Sequence, residues 1–155
     1  GPVYMRFGRL AVPVINDEAN YKFEIGKGIT LKEGKDVTII ATGLEVNESL
    51  EAAKLLEADG ISAEVINIHT IKPLDKDAVN ACIDEIGKII TVEDHNIING
   101  LGGAVCEVVA EAGKGIVKRI GIQDQFGQSA PYERLLAING ITVETIIETA
   151  KGLVK

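Results

Sequence analysis

The stretch KIITVEDHNIINGLGGAVCEVV, residues 88–109, decides how the rest of the chain is read. It opens on a β-branched run of the kind that buried parallel strands carry, and it closes on apolar residues at helical spacing. Between them lie an acid–histidine step and the glycines Gly100, Gly102 and Gly103. A dinucleotide fingerprint would need GxGxxG followed by an acid about twenty residues on. Counted from Gly100, the third position is Val105, and the later segment reads VKRIGIQ. No GK[ST] follows, so a Walker loop is excluded as well. The segment is therefore a strand, a turn and a helix, with Gly100 and Gly102 there to let helix and sheet approach closely.

The same alternation extends outward in both directions. DVTIIATG (36–43), SAEVINIH (62–69) and GIVKRIGI (115–122) are further apolar runs bounded by glycine or charge. Helical patterns fall between them at 44–59, 75–87 and 103–112, the first closing at Gly60 and the second opening on Asp75 as N-cap. Strand–helix–strand repetition with short connections implies a mostly parallel sheet with right-handed crossovers, covered by helices on both faces. GITLKEG reads as a short antiparallel edge strand and PVYMRF as strand-like. APYERLLAI and TVETIIETAKGLVK read as closing helices, the second capped by Thr142. The expected fold is an α/β three-layer sandwich.

Composition narrows the function. The chain has 155 residues and 46% hydrophobic content, enough for one sizeable core, and only 4% aromatics, so Ile, Val, Leu and Ala must build it. Its net charge of −7 argues against nucleic acid, whose phosphates need clustered Lys and Arg. There is no apolar run of membrane-spanning length and no signal peptide, so a cytoplasmic protein without membrane contact is expected. Cys82 and Cys106 fall within helical patterns and form no CxxC, which makes buried free thiols the expectation.

Among chemical candidates, His69 and His95 follow the second and third of these strands and should share the carboxyl edge, where ligands bind in such sheets. Glu93, Asp94 or Asp75 could partner them, but histidines bonded to loop backbone or lying at an interface are the plainer reading. Metal binding would want three or four ligands, and only two have a spacing argument. Arg6 and Arg9 lie at the end of the strand-like PVYMRF, where a guanidinium can fork a phosphate or carboxylate; a surface salt bridge is the alternative. Ser129 has no GxSxG elbow and precedes Pro131 at a helix start, which leaves a serine hydrolase unsupported.

Five segments, in order, resemble one family: GPVYMRFGR (1–9), VTIIATG (37–43), VINIHTIKPLD (65–75), VEDHNIINGLGGAV (92–105) and FGQSAPYERLLAINGIT (126–142). Together they are similar to the C-terminal domain of transketolase, above all the C-terminal half of split prokaryotic transketolases. Ala130 stands where the family often has Gly, and Gly8-Arg9 where many relatives have Ser-Arg. The resemblance implies residues 1–12 as the end of a preceding pyrimidine-binding domain plus linker, and 13–155 as the C-terminal domain. It also implies an intact enzyme that moves a two-carbon ketol unit between sugar phosphates. Thiamin diphosphate and a divalent metal would be held by domains outside this chain, with none in the chain itself. The domain would support a homodimer, have no catalytic residue of its own and be inactive alone. Arg9 would contact the substrate phosphate, and His69, His95, Gly100 and Gly102 would belong to the carboxyl edge or an interface. The alternatives are a 2-oxo-acid dehydrogenase beta chain, deoxyxylulose phosphate synthase, or a stand-alone binding module.

Overall fold

The computed structural model describes residues 1–8 and 11–155. Five strands and five helices follow in the order β1 (Ile29–Lys32), β2 (Val37–Ala41), α1 (Glu45–Ala58), β3 (Ala63–Asn67), α2 (Lys76–Glu85), β4 (Lys88–Asn96), α3 (Leu101–Ala112), β5 (Ile116–Ile122), α4 (Tyr132–Ile138) and α5 (Val143–Val154). The strands form one sheet in the order β1-β3-β2-β4-β5, with β1 antiparallel and the others parallel. The expected three-layer α/β fold and its antiparallel edge are both present.

Period-two alternation splits the sheet between two cores. Val37, Ile39, Ala41, Val65, Ile90 and Val92 face α1 and α5, packing on Ala52, Ala53, Leu56, Ile146 and Ala150. Ile40, Ile66 and Ile89 face α2 and α3, meeting Val79, Ile83, Leu101, Val105 and Val108. Each such aliphatic side chain taken fully out of water contributes roughly 1.5–3 kcal/mol. The inward stripe of α1 runs Glu45, Val46, Ser49, Ala52, Ala53, Leu56, a helical spacing with a carboxylate at its head.

Local signals placed the helix ends. The Asp75 carboxylate accepts the Ala78 N–H at 3.2 Å and caps α2, while its other oxygen takes the Gly28 N–H at 2.9 Å. One side chain thus fastens α2 to the start of β1. Thr142 caps α5 through the Thr145 N–H at 3.2 Å. Gly60 and Gly87 follow α1 and α2 with φ of +80° and +70°, conformations that a side chain would strain.

Two expectations need correction. PVYMRF forms no strand: residues 1–8 are exposed, with no ladder partner among the described residues. A lone strand leaves its N–H and C=O groups to water, so without a neighbouring sheet the pattern cannot become structure. Helix α3 starts at Leu101 rather than 103, because its first N–H groups find a side-chain acceptor that lies eight residues upstream, described below.

Replacing Asp75 with Ala removes both a cap and a charge-assisted bond to β1. Urea unfolding should show a loss of about 2–3 kcal/mol with an unchanged m-value.

Candidate functional site

The chain crosses from β2 to β3 on one side and from β3 back past β2 to β4 on the other. This makes the gap between the carboxyl ends of β2 and β4 the topological switch point, where open α/β sheets bind their ligands. Ala41, the last residue of β2, pairs with Val92, so Glu93, Asp94, His95 and Asn96 run on beyond it. Toward β5 the register slips: Val92 pairs with Ile120 and Asn96 with Ile122, four residues of one strand against two of the other. Bulges of this kind re-aim side chains beside active sites. A Cβ on Gly121 would stand 2.8 Å from the His95 carbonyl oxygen and 3.1 Å from that of Glu93, so only glycine lets β5 lie against the bulge.

Glu93 is 1% exposed and points into the start of α3. Its Oε2 accepts the Leu101 N–H at 2.8 Å and its Oε1 the Gly102 N–H at 2.7 Å. Burial pushes this carboxyl above the usual range, while the bonds from Gly102 and Leu101 and the nearby His95 and Arg119 pull against that rise. The glycines make room for this arrangement. A Cβ on Gly100 would lie 2.1 Å from Glu93 Oε2, and one on Gly102 would lie 2.8 Å from Thr91 Oγ1 and 2.9 Å from Arg119 Cδ. The glycine-rich loop is therefore a socket for an internal carboxylate. An anion already fills the helix start, which is where a diphosphate would have to sit.

His95 and His69 stand apart, with β2 between their strands, so that roughly 10 Å of sheet separates them. They form no catalytic pair. His69 Nδ1 meets Thr70 Oγ1 at 2.8 Å and its ring lies 4.6 Å from that of Phe23; burial pushes its pKa down. Of the three suggested carboxylate partners, Asp75 and Glu93 are engaged as helix caps, and Asp94 bonds His95 Nδ1 at 2.6 Å. Asp94 also receives Arg6 Nη1 at 3.3 Å, and the same guanidinium touches the His95 imidazole at Nε2. A regular strand would send Asp94 and His95 to opposite faces; the register slip lets both reach Arg6. Burial alone would raise Asp94, but His95 and Arg6 outweigh it and hold its carboxyl below the ordinary value. Arg9 lies outside the described residues.

Beside Asp94, a cleft of about 530 Å³ opens between Arg6, Leu44, Asp94 and the start of α4 at Pro131, Tyr132 and Leu135. Behind it is a residue that the sequence reading passed over. Glu45 is fully buried, and neither of its carboxyl oxygens has a hydrogen-bond partner among the described residues. Burial first, then the charges of Asp94 and Glu48, push its pKa up to about 7. The Tyr132 hydroxyl is likewise buried without a partner, and its pKa is raised by burial and by Glu45, Asp94 and Glu48. The available signal was the inward stripe of α1, in which Glu45 precedes Ser49 and Ala52 by one and two turns. Among the described residues, no cluster of three or more His, Cys, Asp and Glu could hold a metal ion. Both thiols are free; Cys82 is buried, which pushes it up to about 12, whereas Cys106 is only partly covered.

Residues 26–146 match the family model described as transketolase, C-terminal domain. The chain belongs to the transketolase C-terminal domain family. It is 47% identical over 148 residues to a protein of Methanocaldococcus jannaschii described as a transketolase C-terminal section, covering 94% of this chain and 46% of that protein. It is 41% identical over 150 residues to the 6-deoxy-6-sulfo-D-fructose transketolase subunit SqwH of Clostridium sp., covering 97% and 46%. The solved structure of a split-gene transketolase, an inactive beta4 tetramer, superposes with a TM-score of 0.89 at 39% identity, over 95% of this chain and 48% of that one. The chain thus spans about half the length of these relatives.

Two predictions follow from the buried carboxylates. Glu93→Ala should cost about 2–4 kcal/mol in urea unfolding by stripping two N–H groups of a charged acceptor. Gly100→Ala, which displaces that carboxylate, should then add little in the double variant. Glu45 has a raised pKa, so its contribution to stability is full below its ordinary value of 4.5 and is lost as pH rises through about 7. Unfolding measured from pH 4.5 to 8 should show Glu45→Gln gaining on the parent by about 3 kcal/mol over that window. Parallel pH profiles for the two proteins would contradict a buried, neutral Glu45.

Proposed function

We propose that this chain is the C-terminal domain of a thiamin-diphosphate-dependent transketolase that passes a two-carbon ketol unit from a ketose phosphate to an aldose phosphate. The observation that carries this reading is whole-domain agreement, in fold and sequence, with half of a split-gene transketolase. In such an enzyme thiamin diphosphate, once bound, supplies the electron sink for breaking a carbon–carbon bond, and the protein supplies binding and orientation. The residues in this chain do not fit that group. Glu93 occupies the glycine-lined start of α3. Cofactor and divalent metal are assigned to an upstream half, and the isolated chain is read as inactive.

The N-terminal arm is where that half joins. Val3, Tyr4, Met5 and Phe7 are 70–89% exposed, an apolar strand-like segment left in water. Residues 1–12 are read as the closing strand and linker of the preceding pyrimidine-binding domain, which would cover these side chains and pair their backbone. Arg9, at the end of that segment, binds the terminal anion of the sugar substrate. The assembly is a homodimer of complete enzymes in the cytoplasm, a reducing compartment that suits two free thiols. No helix among the described residues is long and apolar enough to cross a membrane.

The test supplies the upstream half, with thiamin diphosphate and magnesium, and assays ketol transfer from xylulose phosphate to ribose phosphate. Transfer should appear only when both halves are present. Arg9→Ala should then lower kcat/KM about ten- to a hundred-fold, the loss of one charge-assisted contact. Turnover of pyruvate in place of the sugar phosphates would move the chain to the 2-oxo-acid dehydrogenase branch.

A further inference from the structure

Exposed apolar side chains gather at one end of this sheet. Strands β4 and β5 both run to the carboxyl edge, and antiparallel β1 begins there, its Ile29 pairing with Asn67 at the end of β3. The loops at that edge carry Phe23 and Ile25 before β1, Ile98 after β4 and Phe126 after β5, each more than half exposed and Phe126 99% exposed. Single exposed aliphatics elsewhere, such as Leu55 on α1 or Ile116 at the opposite end of β5, are ordinary. A bare aromatic ring among other bare apolar groups is not. The base of the Phe126 loop is also held in place. Asn96, the last residue of β4, accepts the Ile98 N–H through Oδ1 at 2.8 Å and donates from Nδ2 to Asp124 Oδ1 at 3.0 Å. Gln125 Nε2 donates to Asn139 Oδ1 at 2.9 Å. Asn96 thus ties the loop bearing Ile98 to the loop bearing Phe126, and both residues just before the ring are anchored. From there the chain leads to Ala130, Pro131 and Tyr132, which line the cleft of about 530 Å³ together with Arg6 and Phe7 of the arm. The arm itself is fastened to this edge by Arg6 Nη1 on Asp94 Oδ1 at 3.3 Å.

We infer that the carboxyl edge of this domain is a docking face for the upstream half of the enzyme, with Phe126 as its anchor and Ile98 beside it. Three observations choose that occupant. The relatives are about twice this chain's length, so each has a further stretch of comparable size. The arm, whose own apolar side chains are bare, is pinned at this edge, so whatever covers it approaches from the same side. The Phe126 loop leads into the arm's cleft, which makes arm and loop one surface rather than two. An aromatic ring seated in a pocket of the partner is the common anchor of such a surface, and the exposed Gln123, Gln125 and Gln128 around it supply a polar rim. The inference rests on the reading of a separate upstream half given above, and it extends the contact from the arm to the domain itself. A second copy of this chain is the rival occupant.

The experiment titrates the upstream half with this whole chain by isothermal calorimetry. The parent is compared with Phe126→Ala, Phe126→Tyr and Ile98→Ala, and with Leu55→Ala and Ile116→Ala as controls away from the edge. Phe126→Ala should raise Kd about tenfold or more and Ile98→Ala about threefold, while Phe126→Tyr recovers most of the loss. Both controls should stay within about twofold of the parent. Because the Phe126 ring lies almost wholly in water, urea unfolding of the chain alone should be the same for Phe126→Ala and the parent, which separates docking from folding. Equal Kd values for Phe126→Ala and the parent overturn the inference and leave the arm as the contact; the reading of an upstream half then stands. Sedimentation equilibrium of the chain alone addresses the rival. Self-association that Phe126→Ala abolishes, with an unchanged Kd for the upstream half, gives the edge to a second copy and overturns the inference. Failure of the parent chain to bind the upstream half defeats that reading, and the inference with it.

Discussion

Strand β4 outruns its neighbour β2 by the four residues Glu93 to Asn96, and the arrangement of the carboxyl edge depends on that overhang. With no β2 partner left, these residues are free to bulge against β5, and their side chains are spent on other elements instead of a ladder. Glu93 turns to the start of α3 and completes it. Asp94 turns to α1 and the arm, where it meets Arg6 and raises Glu45. His95 backs Asp94. One strand end thus organises a helix start, a buried acid and the attachment of the N-terminal segment.

The two carboxylates at this edge show how environment separates similar groups. Glu93 and Glu45 are equally hidden from water. Glu93 is met by two backbone N–H groups and serves as an anchor, with its glycine neighbours cut away to fit. Glu45 has no partner among the described residues, faces other acids and keeps its proton to about pH 7. Burial raises both; hydrogen bonding to the charged form decides how far. A buried acid without a hydrogen-bond partner is costly, and the raised pKa of Glu45 is the expression of that cost.

Some of this site was legible from residue types and some was not. Gly100 and Gly102 showed that helix and sheet come close, since a lost side chain at a strand–helix turn has few other meanings. What they make room for, the Glu93 carboxylate, could not be read, because the contact spans eight and nine residues and depends on where β4 ends. His69 follows the end of β3, whereas His95 lies within the overhanging end of β4. Their separation was decided by strand order, which inserts β2 between them. Glu45 hid in plain sight: a charged residue at the head of a helix is normally a solvated one, and only the packing of α1 against the sheet turns it inward.

By itself, the sequence determined the element types from β1 onward, the caps at Asp75 and Thr142, the antiparallel edge and the family, because those follow from local periodicity, backbone chemistry and ordered motifs. Tertiary structure alone decided which acid caps which helix, that Asp94 and His95 share a face, and that Arg6 is the residue they hold. Those outcomes rest on register between strands, and a slip of two residues between β4 and β5 changes which side chains meet without altering any local pattern.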